Sequence, residues 1–240
     1  MAIEPLAIAA RTVTNALGRG VAASLAALRC GESGLRPCDF EDAVLDTWIG
    51  RVAGLEEEPL GGEFAAFDCR NNRLARLGLE QDGFAMAVRD ATARYSADRI
   101  GVFVGTSTSG IGATEHAYRQ RDPLTGSLPE TFDYQHTHNV FSVADFARRW
   151  LGLTGVALAI STACSSSAKA FASAWRHMRA GFCDAAVVGG VDSLCLTTLY
   201  GFNALGLASS RPCRPRDVER DGVNVGEAAG FALLEWAEPD

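Results

Sequence analysis

Lysine is nearly missing from this chain: of 22 basic residues, 21 are arginine and only Lys169 is lysine. That imbalance reads as a compositional bias of the source genome and carries no function of its own. An excess of positive charge is missing too. The formal net charge over 240 residues is −7, which argues against broad nucleic-acid binding. No apolar stretch approaches the ~20 residues that a membrane-spanning helix needs, so no membrane insertion is expected. The N-terminus carries Glu4 and Pro5 where a secretory signal would have a basic and then an apolar segment, so none is expected. Cys-x-x-Cys pairs are absent. The seven cysteines, at 30, 38, 69, 164, 183, 195 and 213, are odd in number and irregular in spacing. Neither a disulfide framework nor a zinc site is expected; reduced thiols in the cytoplasm are.

What is present suits one large globular domain, because 48% of the residues are hydrophobic and only 21% charged. Residues 6–10 read as a first strand. Residues 18–30 read as a short helix with Val21, Leu25 and Leu28 on its apolar face. Residues 31–69 are irregular, with a strand near 47–52. Helical spacing runs over residues 73–95 through Leu74, Leu77, Phe84 and Val88. Residues 99–104 form a strongly apolar strand, followed by a Ser/Thr/Gly loop over 105–112 and a polar segment to about 132. Residues 140–151 are expected to be helical.

The clearest unit comes next. A strand over 156–160, a helix over 163–180 and a strand over 185–188 predict a right-handed parallel crossover. Gly181 stands where the helix would end. The helix is expected to bury Ala168, Phe171, Ala172, Trp175 and Met178. A last strand covers 230–236. The fold class is α/β, with a mixed, mainly parallel sheet and helices on both faces.

At the joint between the first strand and the helix of that unit stands Cys164. A cysteine in the first turn of a helix meets unpaired N–H groups and the positive end of the helix dipole, which favour an anion. The thiolate is the nucleophilic form of the side chain. Ala163, Ser165, Ser166 and Ser167 are small and leave room for a substrate. The Cys164 N–H is also placed to donate to the oxyanion of a thioester under attack. A small buried cysteine with no chemistry is the other reading of the same residues.

Ser161-Thr162-Ala163-Cys164-Ser165-Ser166-Ser167, followed by Gly181-x-x-Asp184 and Gly189-Gly190, resembles the nucleophile region of the β-ketoacyl-carrier-protein synthases. The segment from Gly201 to Gly206, then Cys213-Arg214-Pro215-Arg216-Asp217, Arg220-Asp221-Gly222 and Gly226-Glu227-Ala228-Ala229-Gly230 resemble later signatures of that family. So does the start, with its Thr14-Asn15-Ala16-Leu17-Gly18 turn. Arg216 departs from a usual aromatic residue and Ala228 from a usual glycine; neither touches the cysteine motif.

The resemblance implies the N-terminal half of a thiolase-like αβαβα fold over residues 1–240, with Cys164 as acyl acceptor. It implies a 3-oxoacyl-acyl-carrier-protein synthase of fatty-acid or polyketide type, working as a homodimer or as a heterodimer with a synthase-like subunit. Its partner is acyl carrier protein, bearing acyl and malonyl phosphopantetheine thioesters, and no cofactor is implied. The family's catalytic histidines and lysine belong to a second half whose motifs this sequence does not contain. The four histidines, at 116, 136, 138 and 177, lie in no such motif. This half alone is therefore expected to fall short of condensation. A non-catalytic partner subunit, lending a dimer surface or acyl pocket, is the alternative from another class; a degradative thiolase-like enzyme is a third.

Three further signals have two readings each. The 105–112 loop follows a strand, as phosphate loops do, but lacks the Lys-Ser/Thr pair. The family resemblance makes it a border of the acyl pocket, with Thr108 as a chain-length gate; a polar turn is the other reading. His136 and His138, near Asp133, lack the further spaced ligands of a metal site, and no metal is expected. By resemblance, Tyr134, His136 and His138 line an acyl tunnel suited to an unsaturated, aryl or polyene chain, or else stand at the surface. Arg70, Arg73 and Arg76, with Arg211 and Arg214, are candidates for docking the acidic carrier, or for a solvated helix face and ion pairs within a loop.

Overall fold

A computed structural model describes residues 4–237. The chain begins with β1 (Leu6–Asn15), β2 (Gly18–Arg19) and α1 (Val21–Arg29), and continues through β3 (Leu35–Pro37) and β4 (Trp48–Gly50). Then come α2 (Arg70–Leu79), α3 (Phe84–Tyr95), β5 (Ile100–Gly105), α4 (Ile111–Arg119) and α5 (Ser142–Trp150). The crossover unit is β6 (Ala157–Ile160), α6 (Ser166–Arg179) and β7 (Ala185–Asp192). α7 (Leu196–Ala204), β8 (Val225–Gly226) and β9 (Ala228–Trp236) complete the described chain.

The main sheet has the order β2-β1-β9-β7-β5-β6. Parallel pairing joins β5 to β6 and to β7, whereas β9 runs antiparallel to both β7 and β1. The sheet is mixed, and its parallel part is the crossover unit. Helices cover both faces. On one, α2, α3 and α5 bury Leu74, Leu77, Phe84, Val88 and Phe146 against Val102, Val104, Val187 and Phe231. On the other, α6 lays Ala170, Ala174 and Met178 on Phe103, Ala186 and Val188. β5 and β7 are sandwiched between these layers, which is why their residues are apolar without alternation. A small second sheet, β3-β4-β8, lies beside them.

Several expectations need correction. The helical spacing over 73–95 is two helices, not one. The chain turns back at Asp82 and Gly83, both with positive φ, and α3 starts afresh at Phe84. α1 buries Ser24 and Ala27, while Leu25 and Leu28 face outward. α6 likewise buries Ser166, Ala170, Ala174 and Met178, and Phe171 stays 40% exposed. The cause is close packing. A Cβ on Gly105 would stand 2.4 Å from the Ser167 nitrogen, and one on Gly190 2.0 Å from Ser167 Oγ. Small residues are needed where the start of α6 meets the sheet, and Phe171 is turned outward; Met178, further along, is buried as expected, while Ala168 is exposed and Ala172 and Trp175 are half-buried. α4, inside the segment expected to be only polar, and α7 are helices that apolar spacing did not reveal.

Candidate functional site

The site is the strand-to-helix turn between β6 and α6. Ala163, in this turn, has φ 53°, a left-handed conformation that costs an alanine about 1–2 kcal/mol. The turn is over-determined by its neighbours. Ser166, buried at the start of α6, accepts a hydrogen bond from the Thr162 N–H at 2.9 Å. It donates its own hydroxyl to the Ala163 carbonyl at 2.6 Å. The Ser166 N–H reaches that carbonyl at 3.0 Å, and Ser165 Oγ donates to the Thr162 carbonyl at 2.9 Å. From across the sheet, Ser107 Oγ donates to the Ala163 carbonyl at 2.9 Å.

Cys164 is exposed on this turn. It precedes Ser165, the N-cap residue, and so stands just outside α6 and not in its first turn. Strand-to-helix turns with a strained residue present nucleophiles in other α/β folds for the same geometric reason: the side chain is lifted clear of both elements. Among the described residues the Cys164 N–H has no hydrogen-bond acceptor.

The 105–112 loop packs beside the turn. Its N–H groups are not open to a phosphate, because Asp192 takes them. Asp192 Oδ1 accepts the N–H of Ser107 at 2.6 Å and of Thr108 at 2.8 Å. It also accepts the hydroxyls of Thr106 at 3.2 Å and Thr108 at 3.0 Å. Thr108 is buried, and its hydroxyl oxygen also accepts the Ser193 N–H at 3.0 Å, so this side chain anchors the loop to the end of β7. Ser109 Oγ continues the contact, donating to the Asn139 carbonyl at 3.1 Å.

The 134–139 segment thus borders the loop that borders Cys164. Within it, Tyr134 is exposed and lies 5.3 Å, ring to ring, from His138, whose Nδ1 is 2.6 Å from Thr114 Oγ1. His136 turns the other way. Its Nδ1 meets Asp133 at 2.6 Å and its ring packs edge-on to Phe67 at 4.8 Å. The two histidines therefore do not converge.

The arginines are committed within the chain. Arg70 pairs with Glu227 and Glu56, Arg73 with Asp68 at 2.6 Å, and Arg76 with Glu58 at 2.7 Å. These three guanidinium groups are each paired with a carboxylate, of which only Glu227 is fully buried, and so form no unpaired basic patch. Arg211 pairs with Asp221 at 2.6 Å and Arg214 with Glu219 at 3.1 Å, pinning the loop before β8. The Arg211 guanidinium and the Ser209 hydroxyl hold the Asp221 carboxyl below its ordinary range.

Other motif residues are structural in the same sense. Asp184 takes both Nε and Nη2 of Arg99 at 2.8 Å, while Arg99 Nη1 reaches the Gly181 carbonyl, tying the end of α6 to β5. A cavity of about 560 Å³, lined by Arg51, Arg70, Arg73, Glu56, Asp68 and His116 among others, lies apart from the Cys164 turn. Asp192, Ser107 and the buried role of Ser166 escaped sequence reasoning. The only signal was an acid two residues after Gly189-Gly190.

A profile of the β-ketoacyl synthase N-terminal domain matches residues 5–239. The chain is 30% identical over 239 residues to the chloroplastic 3-oxoacyl-acyl-carrier-protein synthase I of Hordeum vulgare, covering 88% of this chain and 48% of that protein. It is 35% identical over 141 residues to nodulation protein E of Rhizobium meliloti, covering 58% of this chain and 35% of the relative. Among solved structures, the ketosynthase ApeO in complex with its chain length factor ApeC, from Xenorhabdus doucetiae, superposes with a TM-score of 0.83 at 30% identity. That match covers 99% of this chain and 59% of the other. The chain thus spans half or less of the length of these curated relatives.

Proposed function

The chain belongs to the β-ketoacyl synthase family through that family's N-terminal domain, and from this we propose that the whole protein is a 3-oxoacyl-acyl-carrier-protein synthase with Cys164 as its acyl acceptor. The observation that carries the reading is the turn itself. It holds an exposed thiol on a strained, multiply hydrogen-bonded corner, with an N–H that has no acceptor among the described residues and with small sequence neighbours.

In the first half-reaction the Cys164 sulfur attacks the carbonyl carbon of an acyl thioester on the carrier protein. An S–C bond forms and the carbonyl oxygen takes up negative charge, which the Cys164 N–H receives. Collapse breaks the bond to the carrier's phosphopantetheine sulfur, which leaves as the thiol with the proton that Cys164 gave up. In the second, a malonyl thioester loses carbon dioxide, and the resulting carbanion attacks the acyl-cysteine carbonyl. A 3-oxoacyl thioester is released and the cysteine is restored.

Donors for the decarboxylation are proposed to come from outside this chain. Each of its four histidines has another partner: His116 with Glu41, His136 with Asp133, His138 with Thr114 and His177 with the Ser173 carbonyl. A synthase-like partner subunit fits the likeness to a ketosynthase solved with its chain length factor. Tyr134 and His138, whose rings meet at a tilt beside the Ser109 loop, are proposed to meet the acyl chain or that partner, which favours an unsaturated or aryl chain. Arg211, exposed although paired, and Arg214, half-buried, are the proposed carrier contacts; Arg70, Arg73 and Arg76 are too fully engaged for that role.

The test is reconstitution of the full-length protein with acyl- and malonyl-carrier proteins. Formation of the 3-oxoacyl carrier with release of carbon dioxide, lost in Cys164→Ala, is expected. Product formation undiminished in Cys164→Ala overturns the assignment. Failure of the wild type to condense, alone or with a synthase-like partner, favours a non-catalytic subunit.

A further inference from the structure

In a planar trans peptide the carbonyl of one residue and the N–H of the next point in opposite directions. Whatever fixes the Ala163 carbonyl therefore aims the Cys164 N–H. Three donors converge on that carbonyl: Ser166 Oγ, the Ser166 N–H and Ser107 Oγ. Two of them belong to α6 itself. Ser107 is the one that comes from a different element, and it is also the exposed one, with water as an alternative partner. Its placement depends on Asp192. The β5–β7 register pairs Gly105 with Gly190, so the chain two residues beyond each pairing brings Ser107 and Asp192 side by side. The Asp192 carboxylate then gathers the 106–108 backbone and hydroxyls onto one oxygen.

We propose that Ser107, held by Asp192, is a positioning residue for acyl transfer: it clamps the Ala163–Cys164 peptide so that the Cys164 N–H faces the oxyanion formed when the thioester is attacked. This rests on the reading of Cys164 as the nucleophile. Neither Ser107 nor Asp192 touches the reacting atoms through this relay. Their effect is on the direction of a donor, which matters when charge develops on the carbonyl oxygen and not when the thiol reacts by simple displacement.

The experiment uses the full-length protein and two reagents. Acylation of Cys164 by an acyl-N-acetylcysteamine thioester, followed by intact mass, forms an oxyanion; alkylation of Cys164 by iodoacetamide does not. Ser107→Ala is expected to lower the saturating acylation rate about tenfold, less than the ~100-fold or more of a deleted oxyanion donor, because the N–H is misaimed and not lost. Half-saturation by the thioester and the alkylation rate should stay within about twofold, the pattern of an interaction made in the transition state. Ser107→Thr restores the hydroxyl and the rate, and Asp192→Asn falls in the same direction as Ser107→Ala. Unchanged acylation in Ser107→Ala overturns the proposal while leaving the nucleophile intact. An equal loss of acylation and alkylation also overturns it, since that is a merely structural effect. A wild type that iodoacetamide labels at Cys164 but no thioester acylates overturns the nucleophile reading, and the proposal with it.

Discussion

Arg70 sets its Nε and Nη2 against the two carboxylate oxygens of Glu227, at 2.8 and 2.6 Å, with the Glu227 side chain wholly removed from solvent. The same carboxylate accepts the N–H of Val52 at 2.9 Å and of Leu194 at 3.0 Å, so one buried charge ties α2 to the β4 exit, the β7 exit and the start of β9. Removing one partner leaves the other buried and unpaired. Arg70→Met is expected to cost about 3–5 kcal/mol of stability, and Arg70→Met with Glu227→Met much less than Glu227 left alone. Urea unfolding of the three proteins measures this. A loss under about 1 kcal/mol for Arg70→Met would mean that the pair is exposed in solution.

Glu56 gives the acid limb of stability a specific shape. Burial alone would raise its carboxyl, but hydrogen bonds from Arg51 and Arg70 outweigh that and bring it down from 4.5 to about 2. A depressed carboxyl stabilises the fold fully above its unfolded value and loses that contribution as the pH falls through the folded one. Stability is therefore expected to decline from about pH 5 towards pH 2. Glu56→Gln should flatten that decline, as measured by melting temperature against pH. An identical acid limb in the variant would contradict the assignment.

Gly105 and Gly190 are expected to be sensitive to a single methyl group, for different reasons. At Gly105 the added carbon meets the backbone of Ser166 and Ser167, at 2.5 and 2.4 Å, which moves only if α6 moves. At Gly190 it meets the Ser167 hydroxyl first. Gly190→Ala should cost about 1–3 kcal/mol, Gly105→Ala more, and Ser167→Ala should recover part of the former only. Equal costs at the two positions in thermal melts would sink this ranking.

The cysteines divide by burial. Desolvation pushes the Cys69 and Cys183 thiols up to about 11 and raises that of Cys195. At pH 8 iodoacetamide is expected to label Cys164 and Cys30, both exposed, and to spare these three until the chain is denatured. Peptide mapping that finds native Cys183 modified as fast as Cys164 would contradict the packing of α6 on the sheet.

The crossover unit was legible because its strands are uninterrupted apolar runs and Gly181 stops its helix. The place of Cys164 at the joint of β6 and α6 was legible because an apolar run ends just before it and a helical pattern starts just after it. The outward face of α6 was not. Periodicity marks a stripe of large apolar residues as the buried one, whereas this helix meets glycines and needs Ser166, Ala170 and Ala174 there. The break at Asp82–Gly83 was hidden by an apolar spacing that runs through it. The Asp192–Ser107 contact depends on the register between two strands and joins residues 85 positions apart, which no local pattern records. The arginines of α2 showed their spacing but not their partners, since Glu227 lies at the far end of the chain.

The central claim is that the turn between β6 and α6 presents Cys164 as an acyl acceptor. Its most direct measurement is intact-mass analysis of the full-length protein after exposure to acyl-carrier protein, with peptide mapping of any adduct. The account predicts a gain of one acyl group, located on Cys164 and absent in Cys164→Ala. An acyl group carried on another residue, or none on a protein whose Cys164 is free and reactive, would contradict it.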